Sequence, residues 1–181
     1  RLMNRDELLA AIRRVAYLEG EFTLRSGRKS HYYLDKYLFE TQPAILRSLG
    51  EMLAGCISDR TTRIAGAELG GVPLAVATSL ASGLPFVIVR NRKKDYGTGR
   101  QLEGTVQQGD VVLLVEDVAT TGGQVLEAAR ALSDAGAVVE RIVAVIDREE
   151  GARQNIEAAG YRFDALFTAS EMHALNGPDG T

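Results

Sequence analysis

The sequence predicts an α/β fold in which a mainly parallel central sheet is flanked by helices. From Ile64 onward, apolar segments of strand length alternate with segments of helical periodicity, which implies right-handed crossovers between parallel strands. Residues 111–115 are all apolar and mostly β-branched, as expected for a strand buried on both faces of such a sheet. A chain of 181 residues with 45% hydrophobic composition fits one domain, which we expect to span residues 1–175.

Each element is predicted from its apolar spacing and from the residues at its ends. Asn4 or Asp6 suits the cap of the first helix, Pro43 suits a first turn, and Gly136 closes a later helix. The predicted elements are, in chain order, a helix over 6–19, strands over 21–24 and 32–35, a helix over 43–58, a strand over 64–67, a helix after the turn 68–71 through 82, a strand over 86–90, a long loop over 91–104, a strand ending at 115, a helix over 122–135, a strand over 138–146, a helix over 151–159 and a strand over 163–167. Residues 176–181 have turn composition and are expected to be frayed.

The most informative segment follows the apolar run at 111–115. Glu116 and Asp117 come at its carboxyl end, which is where open α/β sheets bind ligands. Residues 120–123, Thr-Thr-Gly-Gly, then place unpaired backbone N–H groups and two hydroxyls at the start of a helix. Such a turn binds phosphate, because the first-turn N–H groups lack partners and the helix dipole favours an anion. An acid pair beside a phosphate-binding turn suits a sugar that carries a phosphate.

Composition excludes several classes of function. The net charge is −3, from 24 acidic and 21 basic residues, so we expect neither a nucleic-acid partner nor a membrane-surface partner. The single cysteine, Cys56, rules out an internal disulfide framework and fits a reducing compartment. No apolar run approaches the length of a membrane span. These features predict a soluble cytoplasmic protein.

The segment 111–124 resembles the signature of type I phosphoribosyltransferases, which bind phosphoribosyl pyrophosphate. Four further segments are similar to the orotate phosphoribosyltransferase family, namely 21–35, 66–73, 90–104 and 146–149. The resemblance implies a type I phosphoribosyltransferase fold with a small N-terminal hood, approximately residues 1–40, over the nucleobase. It also implies a mobile catalytic loop over 91–104 that closes on the neighbouring subunit of a homodimer.

The resemblance further implies the reaction. The phosphoribosyl group of phosphoribosyl pyrophosphate would pass to orotate, giving orotidine 5-monophosphate and pyrophosphate in de novo pyrimidine (UMP) biosynthesis. Mg²⁺ is the implied cofactor, held through substrate oxygens and water with no direct protein ligand assigned. Orotate is already anionic, so the reaction needs no dedicated general base.

Roles carry over to the residues at matching positions. The residues implied for phosphoribosyl pyrophosphate are Arg90, Lys94, Tyr96, Glu116, Asp117, Val118, Ala119, Thr120, Thr121, Gly122, Gly123 and Gln124. The residues implied for orotate are Arg25, Tyr33, Thr120 and Arg148. The catalytic residues among them are expected to be Arg90, Lys94, Glu116 and Asp117. The planar guanidinium of Arg148 suits a carboxylate, which it binds with two parallel hydrogen bonds.

Besides Arg25, where the family often has lysine, the sequence departs from the family pattern at three positions. His31 replaces a proline, Asn91 stands where the family usually has a second lysine, and Tyr96 stands where many members have histidine. Two alternatives therefore stay open. One is a phosphoribosyltransferase for another nucleobase, since residues 111–124 contact only the phosphoribosyl part. The other is a non-catalytic regulator that binds phosphoribosyl pyrophosphate, although such a protein should carry a basic face or a nucleic-acid-binding module.

Overall fold

A six-stranded sheet forms the centre of the protein in the computed structural model, which describes residues 1–24, 27–91 and 101–175. The strands are β1 (Tyr17–Thr23), β2 (Lys29–Leu34), β3 (Arg63–Ala67), β4 (Phe86–Val89), β5 (Leu102–Glu103), β6 (Val111–Ala119), β7 (Val138–Asp147) and β8 (Phe163–Thr168). The helices are α1 (Arg5–Ala16), α2 (Lys36–Glu40), α3 (Pro43–Ala54), α4 (Gly71–Ser82), α5 (Gly123–Asp134), α6 (Ala152–Ala158) and α7 (Ala169–Ala174). The order in the central sheet is β5-β4-β3-β6-β7-β8, and only the short β5 is antiparallel to its neighbour. The predicted α/β fold with a mainly parallel sheet is confirmed.

Two apolar clusters cover the two faces of this sheet. One cluster receives α1, α2, α3 and α4, and the other receives α5 and α6. Strand β6 contributes to both: Leu113 and Val115 point into the first cluster, whereas Val112 and Leu114 point into the second. This alternation is the expected consequence of a period of two residues, and it explains why every position of the run is apolar.

The hairpin of β1 and β2 is a separate two-stranded antiparallel sheet. The first helix was predicted to extend to residue 19, but α1 ends at Ala16 because Tyr17 enters the hairpin and pairs with Leu34. The Tyr17 ring stacks on the ring of Tyr32, with centroids 5.3 Å apart. Helices α1 and α2 pack in the main core. Of the described residues between 1 and 40, the hairpin is therefore the part that forms a sheet separate from the main one.

The structure corrects other predicted boundaries. Strand β6 does not end before Glu116 but continues to Ala119, because Val118 and Ala119 pair with the equally long β7. Part of the predicted loop forms β5, whose residues pair with the end of β4. Helices α2 and α7 were not predicted, although Thr168 and Glu171 form a complete capping box at the start of α7. Residues 92–100 of the predicted loop and the tail 176–181 lie outside the described residues.

The strand order positions the candidate site. From β3 the chain adds β4 on one side, and it then returns to add β6 on the other side. The order therefore reverses between β3 and β6, and ligands of open α/β sheets bind in the crevice at such a reversal. The turn 68–71 after β3 and the residues 116–124 that end β6 and begin α5 meet at this edge.

Candidate active site

The turn between β6 and α5 packs against α6. Gly122 has a φ of +83°, and a β-carbon there would lie 3.0 Å from Ile156 Cγ1, so glycine suits both the conformation and the space. The side-chain amide of Asn155 donates a hydrogen bond of 2.8 Å to the carbonyl oxygen of Thr121. A cavity of about 250 Å³ lies over this turn, lined by Glu116, Val118, Ala119, Thr120, Thr121, Gly122, Gly123, Gln124 and Val125. The first N–H groups of α5 thus border a cavity of a size that suits a phosphate group.

The two carboxyl groups of the acid pair have different surroundings. Asp117 is 1% exposed, and its Oδ1 accepts a 2.6 Å hydrogen bond from the backbone N–H of Val118. Its Oδ2 lies 2.9 Å from Nζ of Lys36. Glu116 is half-buried, and burial, followed by the negative charge of Asp117, raises the pKa of Glu116 well above its ordinary value. The two neighbouring carboxyl groups therefore differ: Asp117 has a cation within ion-pair distance, and Glu116 has a raised pKa.

A second cavity of about 650 Å³ adjoins the first. Its lining includes Val118, Thr120, Thr121 and Gln124, which also line the phosphate-sized cavity. The rest of its lining comes from the hairpin, from the segment that leads into α2 and from the end of β7, and consists of Leu24, Arg28, Tyr33, Leu34, Lys36, Arg148 and Glu150. The two cavities therefore share one wall, and the larger cavity adds charged residues from the hairpin and from the chain after β7.

Arg148 is the most buried cation of the larger cavity. Its side chain is 8% exposed, and the guanidinium lies over the ring of Tyr32 at 4.7 Å from the centroid. Its Nε lies 3.6 Å from Oε2 of Glu150, too far for a hydrogen bond, and has no other hydrogen-bond partner among the described residues. Glu150 also pairs with Arg28 of the hairpin. A buried guanidinium with an unfilled donor is suited to a planar anionic ligand.

The turn after β3 closes the other side of the site. A β-carbon at Gly70 would lie 1.7 Å from Oδ2 of Asp117. Only glycine therefore allows the turn to come this close to the acid pair. Arg90, at the end of β4, pairs with Oε1 of Glu68 at 3.6 Å and with Oε1 of Glu103 at 3.8 Å. The backbone N–H of Asn91 donates to Oε2 of Glu68 at 3.0 Å. Arg90 therefore lies beside a glycine turn that borders Asp117.

The structure brings most of the sequence-predicted site residues together. Glu116 and residues 118–124 line the smaller cavity, and Tyr33 and Arg148 line the larger one with Thr120. Asp117 lines neither cavity, because its carboxylate is buried against Gly70 of the turn 68–71. Arg90 lies at the turn 68–71. Arg25, Lys94 and Tyr96 lie outside the described residues.

Sequence reasoning missed several residues of the site. Lys36 and Glu40 belong to α2, whose five residues carry no apolar period long enough to predict a helix. Arg28 and Glu150 were not predicted as site residues, because nothing local in the sequence indicates that they pair. The lone signal was the position of Glu150 two residues after Arg148, at the carboxyl edge of the sheet.

In the part of the chain that the structure describes, neither a helix that could span a membrane nor a cluster of metal-ligating side chains is found. Across the described ranges 1–24, 27–91 and 101–175, no helix is long and apolar enough to cross a membrane. Over the same ranges, no three His, Cys, Asp or Glu side chains form a cluster that would hold a metal ion.

Comparison with known proteins identifies the class and then the family. The phosphoribosyl transferase domain family matches residues 39–160, which contain the acid pair and both turns, so the fold and site are those of a phosphoribosyltransferase. The chain is 44% identical over 173 residues to the orotate phosphoribosyltransferase of Natronomonas pharaonis, covering 95% of this chain and 99% of the relative. It is 48% identical over 153 residues to that of Methanocella arvoryzae, covering 84% and 87%.

A solved structure agrees with these relatives. The crystal structure of Mycobacterium tuberculosis orotate phosphoribosyltransferase in complex with 5-phospho-α-D-ribosyl 1-diphosphate (PRPP) superimposes with a TM-score of 0.78 at 30% identity, covering 93% of this chain and 98% of that chain. The chain belongs to the orotate phosphoribosyltransferase family. It is an enzyme, a glycosyltransferase of pyrimidine biosynthesis.

Proposed function

We propose that the two adjoining cavities bind PRPP and orotate together and transfer the phosphoribosyl group to a ring nitrogen of orotate. The products are orotidine 5-monophosphate and pyrophosphate. The observation that carries this proposal is the buried guanidinium of Arg148, which faces a cavity that shares Thr120 and Thr121 with the phosphate-sized cavity. One ligand end would be a carboxylate and the other a phosphate, which are the two ends of orotidine 5-monophosphate.

The 5-phosphate is assigned to the turn between β6 and α5. Its oxygens would accept from the N–H groups of residues 120–123 and from the hydroxyls of Thr120 and Thr121, with Val118, Ala119 and Gln124 around them. The bond from Asn155 to the Thr121 carbonyl supports this role, because it fixes the turn before the ligand arrives. A fixed turn loses less conformational entropy on binding.

The acid pair is assigned to the ribose. Cleavage of the bond between the anomeric carbon and the pyrophosphate oxygen leaves positive charge on the ribose ring, and nearby carboxylates stabilise that charge. Asp117 and Glu116 would also accept from the two ring hydroxyls. Burial, and next the charge of Asp117, raises the pKa of Glu116, so a developing positive charge nearby would favour its ionised form.

The base end of the site is assigned to Arg148, Tyr33, Thr120 and Arg25. Arg148 would bind the orotate carboxylate, since its guanidinium is buried and lies over the ring of Tyr32. Tyr33 lines the same cavity and packs against Phe22 with ring centroids 5.7 Å apart. The role of Arg25 rests on the family resemblance alone.

The pyrophosphate end is assigned to Arg90, Lys94 and Tyr96, and Mg²⁺ is the proposed cofactor. Arg90 supports this role by its position beside the turn 68–71. The residues present fit a magnesium ion held mainly by substrate oxygens and water, since the acid pair supplies hard oxygen atoms while no larger acidic cluster occurs in the described ranges. When bound, the ion would neutralise charge on the departing pyrophosphate.

A homodimer in which the loop 91–104 closes over the partner's site is also proposed. An apolar cavity of about 600 Å³ between α3 and α4 supports a protein-binding face there, with Leu80 83% exposed at its edge. This cavity carries none of the charged groups of the substrate site, so it is assigned to association rather than to chemistry. A cytoplasmic location stays a prediction, consistent with the single free cysteine.

The test of the proposed function is consumption of orotate, followed by its ultraviolet absorbance, with PRPP and Mg²⁺ present. Uracil and adenine, which lack the carboxylate, are the matched bases. Rapid consumption of orotate, with neither uracil nor adenine consumed at a comparable rate, would support the proposal. Consumption of uracil or adenine at the rate of orotate, or binding of PRPP without turnover of any base, would contradict it.

A further inference from the structure

Helix α2 directs two titratable side chains toward the acid pair, and neither belongs to the roles assigned above. Nζ of Lys36 lies 2.9 Å from Oδ2 of Asp117. Glu40, one helical turn further on, is 1% exposed, and neither of its oxygens has a hydrogen-bond partner among the residues that the structure describes. A charged or acidic group is buried in this way only where its surroundings offset the loss of water.

Gly70 marks the point where these groups meet. The position of a β-carbon there would be 1.7 Å from Oδ2 of Asp117 and 3.2 Å from Oε2 of Glu40. Both carboxyl groups therefore face the backbone of the turn 68–71. The other oxygen of Asp117 already accepts from the Val118 N–H. The orientation of Asp117 is thus set by the Val118 N–H on one oxygen and by Lys36 on the other.

Lys36 and Glu40 differ in charge beside Asp117. Burial alone would lower the pKa of Lys36, but the charge and hydrogen bond of Asp117 outweigh it, and the pKa is raised. Burial, followed by the charge of Asp117, raises the pKa of Glu40 to about 9, so Glu40 is a neutral acid near neutral pH. Lys36 is then the only described cation within ion-pair distance of Asp117.

Lys36 also reaches the substrate cavity. Its side chain is 35% exposed and lines the larger cavity together with Tyr33, Thr120 and Arg148. An ammonium group has three N–H donors, so the pair with Asp117 leaves two for other partners. Lys36 therefore stands between the proposed base cavity and the proposed ribose-binding carboxylate.

We propose that Lys36 is a positioning residue for phosphoribosyl transfer, whose ion pair fixes the carboxylate of Asp117 and with it the end of β6 beside the proposed ribose site. Glu40 lies at the turn 68–71 with Asp117 as a neutral acid, so it contributes no charge to the reaction. This inference rests on the proposed role of Asp117. Misplacement of a reacting group by about 1 Å lowers rates by up to about 100-fold, which sets the scale of the expected effect.

The experiment compares steady-state kinetics of Lys36→Met, Lys36→Arg, Asp117→Asn and the double variant Lys36→Met/Asp117→Asn. Lys36→Met should lower kcat/KM for PRPP by at least about tenfold, leave KM for orotate within about twofold, and be partly rescued by Lys36→Arg. The double variant should be no slower than Asp117→Asn alone, because Lys36 acts through Asp117. Arg130→Met, an exposed cation on α5, is the control for loss of charge.

The outcomes separate this inference from the proposed function. If Asp117→Asn is fully active, the proposed role of Asp117 fails, and the positioning role fails with it. If Asp117→Asn is impaired but the losses in the double variant multiply, Lys36 acts independently of Asp117 and the inference is overturned. A Lys36→Met protein with a lower Tm but parental kcat/KM would likewise overturn it. Lys36→Arg keeps the cation, and it remains informative if Lys36→Met does not fold.

Discussion

The backbone N–H of Arg148 donates a 3.0 Å hydrogen bond to the carbonyl oxygen of Ala119. This bond joins the end of β7 to the end of β6, directly before the phosphate-binding turn. The group assigned to the orotate carboxylate and the turn assigned to the 5-phosphate are therefore connected by a single backbone contact. Sheet pairing therefore fixes the backbone of Arg148 relative to the phosphate-binding turn.

Replacing Gly70 with alanine should abolish most of the activity. The added β-carbon would lie 1.7 Å from Oδ2 of Asp117, so the turn 68–71 or the acid pair has to move. A shift of about 1 Å is expected to lower kcat/KM for PRPP by about 100-fold. The measurement is steady-state kinetics with PRPP varied.

Gly83→Ala is the matched control for this variant. Gly83 has a positive φ, 76°, whereas the φ of Gly70 is −67°, and no atom beyond its chain neighbours lies within 4 Å of the position of a β-carbon at Gly83. Alanine there should cost about 1 kcal/mol of stability through backbone strain and leave kcat/KM unchanged. Equal activity of the two alanine variants would show that Gly70 does not limit the approach of the turn.

Glu40→Gln should remove a pH dependence of stability. The pKa of Glu40 is raised by burial, and next by Asp117, from 4.5 to about 9. The folded protein therefore keeps a proton that the unfolded chain releases, so stability falls as the pH rises through this window. Glutamine holds no such proton, so the free energy of unfolding of the variant relative to the parent should rise by about 1.4 kcal/mol per pH unit.

The measurement is urea unfolding of both proteins at several values between about pH 5 and pH 9. Glu127→Gln, at an exposed position on α5, is the control for loss of a carboxylate outside both cavities. Parallel stability curves for Glu40→Gln and the parent would contradict the assignment of a neutral Glu40.

Asn155→Ala should weaken PRPP binding with little effect on the overall fold. The Asn155 side chain is exposed and holds the carbonyl of Thr121 at 2.8 Å, so its loss frees the phosphate-binding turn. One such bond contributes about 1 kcal/mol, which predicts a KM for PRPP about fivefold higher. Gln154→Ala, an exposed neighbour on α6, should behave as the parent. An unchanged KM for PRPP in Asn155→Ala would exclude this role.

Leu80→Lys should separate the proposed homodimer. The leucine is 83% exposed at the apolar cavity between α3 and α4, where a charge would be costly to bury against a second copy. Analytical ultracentrifugation should find a monomer, with activity lost because the loop 91–104 no longer reaches a partner. Val138→Lys, at a residue that is 57% exposed, is the control. A fully active dimer of Leu80→Lys would place the interface elsewhere.

The sequence predicted those parts of the fold and site that depend on local chemistry. The apolar run of β6, the glycines before α5 and the arginine after β7 all lie where the pattern indicated. The end of β6 was placed four residues too early, because its continuation to Ala119 depends on pairing with β7. Pairing partners are distant along the chain, so no local window of sequence shows them.

The residues that surround the acid pair could not be predicted from the sequence for a similar reason. Lys36 and Glu40 are ordinary charged residues of a short helix, and their burial follows from the packing of α2 beside the turn 68–71. The pairing of Glu150 with Arg28 likewise joins the hairpin to a loop 122 positions away. By contrast, the capping box of Thr168 and Glu171 is a local signal and was available in the sequence.

The most direct test of the account is the kcat/KM for orotate of Arg148→Ala and Arg148→Lys beside the parent. Loss of a charge-assisted hydrogen-bonded pair predicts that kcat/KM for orotate falls roughly 10- to 100-fold in both variants. The lysine variant is included in this prediction because lysine does not form two parallel bonds to a carboxylate. PRPP binding should stay at the parental level, and Arg153→Ala, at an exposed position on α6, should be fully active. Parental kcat/KM for orotate in Arg148→Ala would contradict the account, because the base would then be recognised without this guanidinium.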